Sequence, residues 1–578
     1  MTRFSRAIFT ALLVVALGAL AFLTLRQKNF SPADGGAPGG TLRALLRDEP
    51  RTFNRYLRSA LNVEELLAQL MHERLIRVNR ATDQLEPRLA EKWTAEEDGL
   101  TYTLTLRQGT TFSDGTPFTS ADVLFAFEAV YSNAANSAIG TAMTLNGKRL
   151  DVTAPDPSTV RIRFPSPFGP GLRILDGLPI LARHALEPAL KAGTFEQAWG
   201  LTTPGSAMPV LGPFILEAYQ PGRTLMLARN PRYWRRDDAG RSLPYLDRIA
   251  FEIVADMNAE VLRLESGATD LIFSDVRPED YASLKRLEDQ GRVDLADAGV
   301  SLDPPMFWIN LNPASKADDP RRAWLQSLEF RRGISHAIDR DAVIRTVYLG
   351  AAVPAYGPVT EGNKTWYVAD LPRYAYDPAA ARAQFAALGL EDANGDGLLE
   401  DKAGRPVRFS VLTNRGNTIR ERTVAMLQEQ LRKVGVVLDI TALDPAGVIK
   451  GILSGAYDAV YFGTEQSSTD PANNLDFWIS SGGFHVWHLG QKAAATEWEA
   501  LIDDLMRQQM ATTNLAERQR LFAEAQRVLA ENIPVIYVAA PRITVAKSPR
   551  LLNTMPVPLR PPVLWNADIL AVRSGGAS

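Results

Sequence analysis

The 578-residue chain has the length of roughly three to four domains, and its 46% hydrophobic and 22% charged content is that of folded globular protein rather than disordered or fibrous chain. With 63 basic against 66 acidic residues the net charge is −3, so no global field holds nucleic acid or an anionic membrane against salt. The lack of cysteine excludes disulfides, thiolate metal sites, a cysteine nucleophile and the lipid-acceptor cysteine of bacterial lipoproteins.

Arg3 and Arg6 precede an uncharged, mainly apolar run from Ala7 to Leu25, closed by Arg26 and Lys28. This pattern predicts export, with residues 1–28 acting as a signal peptide or an N-terminal membrane anchor. At about 1.5 Å per residue the run spans roughly 28 Å, enough for the hydrocarbon core, while Ala19-Leu20-Ala21 offers a small-x-small cleavage site. Residues 29–40 carry Ser31-Pro-Ala-Asp-Gly-Gly-Ala-Pro-Gly-Gly40, the composition of a flexible linker.

From Thr41 onward the pattern is that of one continuous globular assembly. Leu100 to Leu106 alternates, with Tyr102, Leu104 and Leu106 on one face, and predicts a half-buried strand. Asp114-Gly115 makes a tight turn. Thr119-Ser-Ala-Asp122 then opens a helix, with Val123, Ala126, Phe127 and Val130 at helical spacing, that runs to about Tyr131. Phe409–Leu412 predicts a strand, and Val424, Leu427, Leu431 and Val434 a helix closed by Gly435. Val436–Ile440 is a strand again, completing a βαβ unit whose strands should run parallel. A helix from about Ala446 to Leu453 and a strand from Tyr457 to Phe462 follow, whereas Asp83 to Thr203 is richer in turns. The fold class is therefore α/β.

Several blocks carry a resemblance. Leu85-Glu-Pro-Arg-Leu-Ala-Glu-Lys-Trp93, Asp98-Gly-Leu-Thr-Tyr102 and Phe112-Ser-Asp-Gly-Thr-Pro-Phe-Thr-Ser-Ala-Asp-Val123 stand in order with Leu211-Gly-Pro-Phe214, Asn230-Pro-Arg-Tyr-Trp234, Pro244-Tyr-Leu-Asp247 and Leu264-Glu-Ser-Gly-Ala-Thr-Asp270. Phe330-Arg-Arg332, Ala337-Ile-Asp-Arg340 and Tyr376-Asp-Pro378 continue the set. This ordered set resembles the extracellular solute-binding protein family 5, the peptide- and nickel-type binding proteins of ABC importers. Taken singly, each block also has a bland reading: turn chemistry at Asp114-Gly115 and Gly212-Pro213, packing anchors at Trp93 and Trp234.

The resemblance implies a periplasmic binding protein-like fold of the large peptide-binder class (type II), with two hinged lobes and an extra subdomain. Lobe I would combine 41–81, 204–300 and 531–578, the subdomain 82–203, and lobe II 301–530. It implies capture of a peptide-like or similar solute, delivery to permease subunits in the membrane, no catalysis and no cofactor. A monomer outside the cytoplasm is expected, tethered to the cytoplasmic membrane if the N-terminal segment stays uncleaved.

Three segments match the family's cleft-lining positions: Asp48-Glu49-Pro50, Phe273-Ser274-Asp275, and the loop Gly463-Thr464-Glu465-Gln466-Ser467. In peptide binders of the family the last loop carries a tryptophan and an aspartate that grips the ligand's α-ammonium. Thr464 and Ser467 stand at those positions, leaving Glu465 or Asp470 to supply an anion. Trp487, with Trp478 and Phe484, is a candidate apolar floor; core packing is the competing reading for each.

Other ligand classes remain open. His485 and His488 raise a nickel or metal-chelate reading, and oligosaccharide binding suits the same fold. Asp392, Asn394, Asp396 and Gly397 resemble the start of a calcium loop, but Ala403 stands where a bidentate Glu is needed, so a solvated turn is the better account. No Gly-x-Ser-x-Gly, His-Glu-x-x-His, Walker or Rossmann motif occurs. A hydrolase with a nonlocal Ser/His/Asp set is the alternative of another class.

Overall fold

A computed structural model describes residues 39–573 except 61, 146, 255, 274–275, 316–317 and 464–467. The predicted N-terminal segment and all but the last two residues of the linker lie outside the described residues. Among the described residues, no helix is long and apolar enough to cross a membrane.

A large mixed sheet is built from four separated stretches of chain. Its path runs Phe214–Gln220, Thr224–Arg229, Arg248–Ile253, Thr41–Leu46, Leu271–Ile272, Ala539–Lys547 and Asp294–Val300, with Ala352–Pro354 also paired to Ala539–Lys547. The cause is two-residue periodicity: Leu42, Ala44 and Leu46, Leu225 and Leu227, and Ile249 and Phe251 all turn inward and are buried. Thr41–Leu46 runs parallel to Arg248–Ile253 and to Leu271–Ile272.

A second sheet has the order Val437–Leu443, Arg408–Asn414, Ala459–Phe462, Met306–Ile309, Val535–Tyr537. The expected βαβ unit is present, with Arg408–Asn414 parallel to both Val437–Leu443 and Ala459–Phe462. Its helix, Thr418–Arg432, starts where Asn417 Oδ1 accepts from the Arg420 N–H at 3.0 Å and buries Val424, Leu427 and Leu431. Just past its end stands Gly435, with a φ of +86° and so little room that a Cβ would lie 2.7 Å from the Leu399 side chain. Met306–Ile309 is buried on both faces, as a sheet covered on both sides requires.

Residues 82–203 contain an antiparallel sheet of Ala90–Ala95, Thr101–Leu106, Thr159–Arg163 and Asp151–Asp156, which confirms the alternating strand. The helix Ser120–Val130 begins as predicted, with Asp122 Oδ2 accepting from the Thr119 N–H at 3.0 Å. Its Val123 and Phe127, with Leu104 and Ile162 of the sheet, join one continuous core with Leu42 and Phe251 of the large sheet. The second sheet keeps cores of its own, Phe307, Phe330 and Phe409 on one face and Trp308, Val460 and Trp487 on the other. The molecule therefore has two bodies. The chain passes between their sheets at 301–305, between Asp294–Val300 and Met306–Ile309, and at Val538, between Val535–Tyr537 and Ala539–Lys547, and it touches the large sheet once more where Ala352–Pro354 pairs with Ala539–Pro541 before returning to Arg408–Asn414.

Candidate functional site

Because Thr41–Leu46 and Leu271–Ile272 are parallel neighbours, the chain leaves both at the same edge of the large sheet. That edge is where α/β sheets hold ligands. A cavity of about 400 Å³ opens there, floored by Leu45, Leu46, Leu66, Ile272 and Phe273 with Asp48 on its rim. The volume is in the range of small-solute sites. Three other cavities hold about 10–20 Å³, room for a water at most.

The wall of the cavity is charged. Glu260 is buried on the helix Met257–Glu265, and a buried carboxylate needs a partner. Arg47, the residue after the first strand, supplies it through a fork at 2.7 and 2.8 Å. Glu65 and Gln69 from the helix Asn62–Met71 and Arg560 complete the polar lining. Glu64 of that helix accepts from the Arg51 N–H at 2.5 Å and ties the strand's exit loop to the helix's first turn.

The sequence-predicted residues divide. Asp48 and Phe273 meet at the cavity. Glu49 is exposed but turned away to a hairpin turn, where it accepts from the Tyr219 hydroxyl and the Gly222 N–H, and these bonds hold its carboxyl below the usual range. Pro50 is buried beneath the loop. Ser274, Asp275, Thr464, Glu465, Gln466 and Ser467 lie outside the described residues.

Gly463 leaves the carboxyl end of Ala459–Phe462, the corresponding edge of the second sheet. Its carbonyl accepts from Arg420 at 3.1 Å, and the same guanidinium donates to Asn414 Oδ1 at 2.9 Å and lies 4.6 Å over the Phe462 ring. A Cβ at 463 would lie 2.8 Å from that guanidinium, so a side chain there would displace the end of Arg420. The sequence reading missed Arg420. Its signal was its place three residues after the Asn417 cap, where a helix's first turn faces the ends of the strands beside it.

Trp487 is corrected. It is 1% exposed in the core of the second body, with its indole N–H donating to Glu499 at 3.1 Å, and presents no face to a cleft. Trp478 is 2% exposed and packs edge-on against Phe522, and Phe484 packs against the same core. Glu499 also lies 3.2 Å from His485 Nε2. Burial alone would push its carboxyl up, but the bonds from His485, Trp487 and Thr496 outweigh it and hold it at about 2. Asp470 is no free anion either: it is buried, forks to Arg518 at 2.7 and 2.9 Å, and caps the turn at Ala472.

Residues 84–485 match the model of the bacterial extracellular solute-binding proteins, family 5. The chain belongs to that family. It is accordingly the substrate-binding component of an ABC importer, an extracytoplasmic binding protein and not an enzyme. It is 28% identical over 567 residues to a probable ABC transporter-binding protein of Deinococcus radiodurans, covering 93% of this chain and 94% of that one. It is 24% identical over 546 residues to the oligopeptide-binding protein AppA of Bacillus subtilis, 92% of each. The structure of AppA in complex with a nonapeptide superposes with a TM-score of 0.71 over 93% of this chain and all of that one, at 22% identity. NikA from Brucella suis, in complex with Fe(III)-EDTA, gives 0.76 over 92% of this chain and 100% of its own, at 21% identity. At these identities the superpositions establish the type II periplasmic binding protein fold, two hinged lobes of mixed α/β structure.

Proposed function

We propose that the 400 Å³ cavity beside Asp48 and Phe273 is the lobe I half of a solute cleft, and that the Gly463 end of the second sheet is the lobe II half. In this reading lobe I is 41–81, 204–300 and 531–578, the subdomain 82–203 and lobe II 301–530, with the loop Thr464–Ser467 facing the solute. The solute is peptide-like. The observation that carries this is the cavity's make-up, an apolar floor under a rim bearing Arg47, Asp48, Glu65 and Arg560, both signs of charge within reach of one small zwitterion. AppA, similar over nearly the whole chain, binds a nonapeptide.

The test is a thermal-shift screen. Di- to nonapeptides at about 100 times their dissociation constant should stabilise the protein by about 2.7 kcal/mol, a rise of several degrees. Phe273→Ala should weaken the response by removing floor. A melt that moves only with an oligosaccharide or a chelated metal overturns the peptide reading.

The N-terminal run from Ala7 to Leu25 supports a tether to the cytoplasmic membrane beside the permease. Full-length protein should then sediment with membranes, while a chain begun at Gly39 stays in the supernatant. Soluble protein of reduced mass, recovered from expression of the whole chain, would show a cleaved signal instead.

A further inference from the structure

Asp83 sits at the tip of a turn in the first body, on a carboxylate that three donors reach. Arg173 Nη2 lies at 2.5 Å and Thr469 Oγ1 at 2.8 Å from Oδ1, and Thr365 Oγ1 at 2.9 Å from Oδ2. Arg173 belongs to the first body, on the short helix Gly171–Gly177. Thr365 and Thr469 belong to the second. Gln519 donates to the Thr365 carbonyl at 2.8 Å, Asn363 donates to the Thr469 carbonyl at 2.9 Å, and the next residue, Asp470, is forked to Arg518. Arg173 also reaches Thr469 Oγ1 at 3.1 Å and stands 3.9 Å from Asp470.

A backbone junction lies beside this cluster. The Gly169 N–H of the first body donates to the Met510 carbonyl of the second at 2.5 Å, and Met510 packs against the first body's core. A Cβ at 169 would stand 2.6 Å from the Thr512 carbonyl and 2.8 Å from that of Gln509, so only glycine permits the approach.

We propose that Asp83, Arg173 and Thr469, with the Gly169 junction, form a latch that holds the two lobes together without any ligand. Every group in it is the protein's own, so none of the closing contacts requires an atom of the solute. The groups from the first body are also only partly shielded, Asp83 21% and Arg173 17% exposed, so each can return to water when the lobes part. Thr469 is two residues from Ser467, so the latch and the loop proposed to face the solute share one short stretch of chain. The latch rests on the two-body fold and not on the identity of the solute.

The native chain lacks cysteine, so spin labels can be placed at will. Lys191→Cys and Arg507→Cys mark the subdomain and lobe II at side chains 69% and 67% exposed. Electron–electron distance measurement on the free protein should show a short-distance population. Arg173→Gln and, independently, the wedge Gly169→Val should each cut that population about tenfold. Arg161→Gln, which removes an exposed pair with Glu96 in the same subdomain, should leave it unchanged. Melting points near wild type confirm that each variant is folded. A free wild-type protein showing only the long distance, or latch variants matching wild type, overturns the proposal. Either result leaves the peptide reading intact, because no ligand enters the experiment, and a failed peptide screen leaves the latch intact.

Discussion

Arg88 and Arg173 each meet an acidic partner in a cluster of several residues, but in different settings. Arg88 forks to Glu73 at 3.1 and 2.7 Å and reaches the Tyr233 hydroxyl at 2.8 Å, and that hydroxyl lies 3.1 Å from Asp568, which Arg235 also holds. All of these groups lie within the first body, with Arg88 5% and Asp568 3% exposed and only Arg235, at 31%, reaching water. Burial opposes the ionisation of Asp568, and Arg235, Arg88 and Arg77 outweigh it, holding the carboxyl well below its usual range. The Asp83–Arg173 cluster has the same chemistry between two bodies and near water. The lesson is that residue type does not decide what an ion cluster does; burial and the body to which each partner belongs decide it. A cluster sealed in one body is a bolt, and one shared between two is able to open.

The first way to break this comparison is to remove the bolt. Asp568→Ala takes the shared buried anion from Arg88, which keeps Glu73, and from Arg235, which is 31% exposed, and should cost about 3–5 kcal/mol. Denaturant unfolding should show the loss in the transition of the first body. A loss below about 1 kcal/mol would mean that the arginines find water, and that this cluster is no more a bolt than the other.

Glu499 sharpens the same point within the second body. Glu499→Gln removes the charge and leaves one acceptor oxygen for donors that the carboxylate meets with two, Trp487 and His485 on one side and the Ala495 and Thr496 N–H groups on the other, and should cost about 1–3 kcal/mol near neutral pH. The sign of its pH dependence follows from a carboxyl lowered from 4.5 to about 2 in the folded state. The stabilisation is complete above about 4.5 and is lost as pH falls toward 2. Urea melts at pH 6, 4 and 2.5 should therefore show the gap between wild type and Glu499→Gln closing as the solution is acidified. A constant gap would rule out the carboxylate's charge as its source.

Much of the scaffold was legible because it is written locally. The Thr119–Asp122 box, the alternation from Tyr102 to Leu106 and the Gly435 stop each specify an element within a few residues, and each appears where predicted. Asp48 and Phe273 came from the resemblance to the family and from no local pattern, and the structure places both on one cavity at the parallel edge. What could not be read depends on distant pairs. Trp487 has the look of a cleft aromatic until Glu499, twelve residues on, folds back beneath its indole N–H. Arg47 belongs to the cavity wall because Glu260 lies 213 positions away, and Asp83 meets Thr469 across 386. No local period or cap encodes such contacts; they exist only once both bodies have folded.

The smallest expected effect on overall stability is at Asp83, and it is the one that separates bolt from latch most directly. Asp83 has a φ of +59°, in the left-handed region that asparagine tolerates as readily as aspartate. Asp83→Asn therefore keeps the backbone and the turn, in which the Asp83 N–H donates to the Asn79 carbonyl at 2.8 Å, and removes only the charge. Its partners Thr365 and Thr469 are anchored in a body with its own cores, and neither body needs Asp83 to fold. The global loss should thus be about 0.5–1 kcal/mol or less, the scale of a partly exposed ion pair. Hydrogen exchange should still report the change locally, with faster exchange at the amides of 169 and 510–512 and none at the strands around Asp568. A loss at Asp83 as large as that at Asp568 would make the two clusters one kind of structure, and the lobes a single rigid piece.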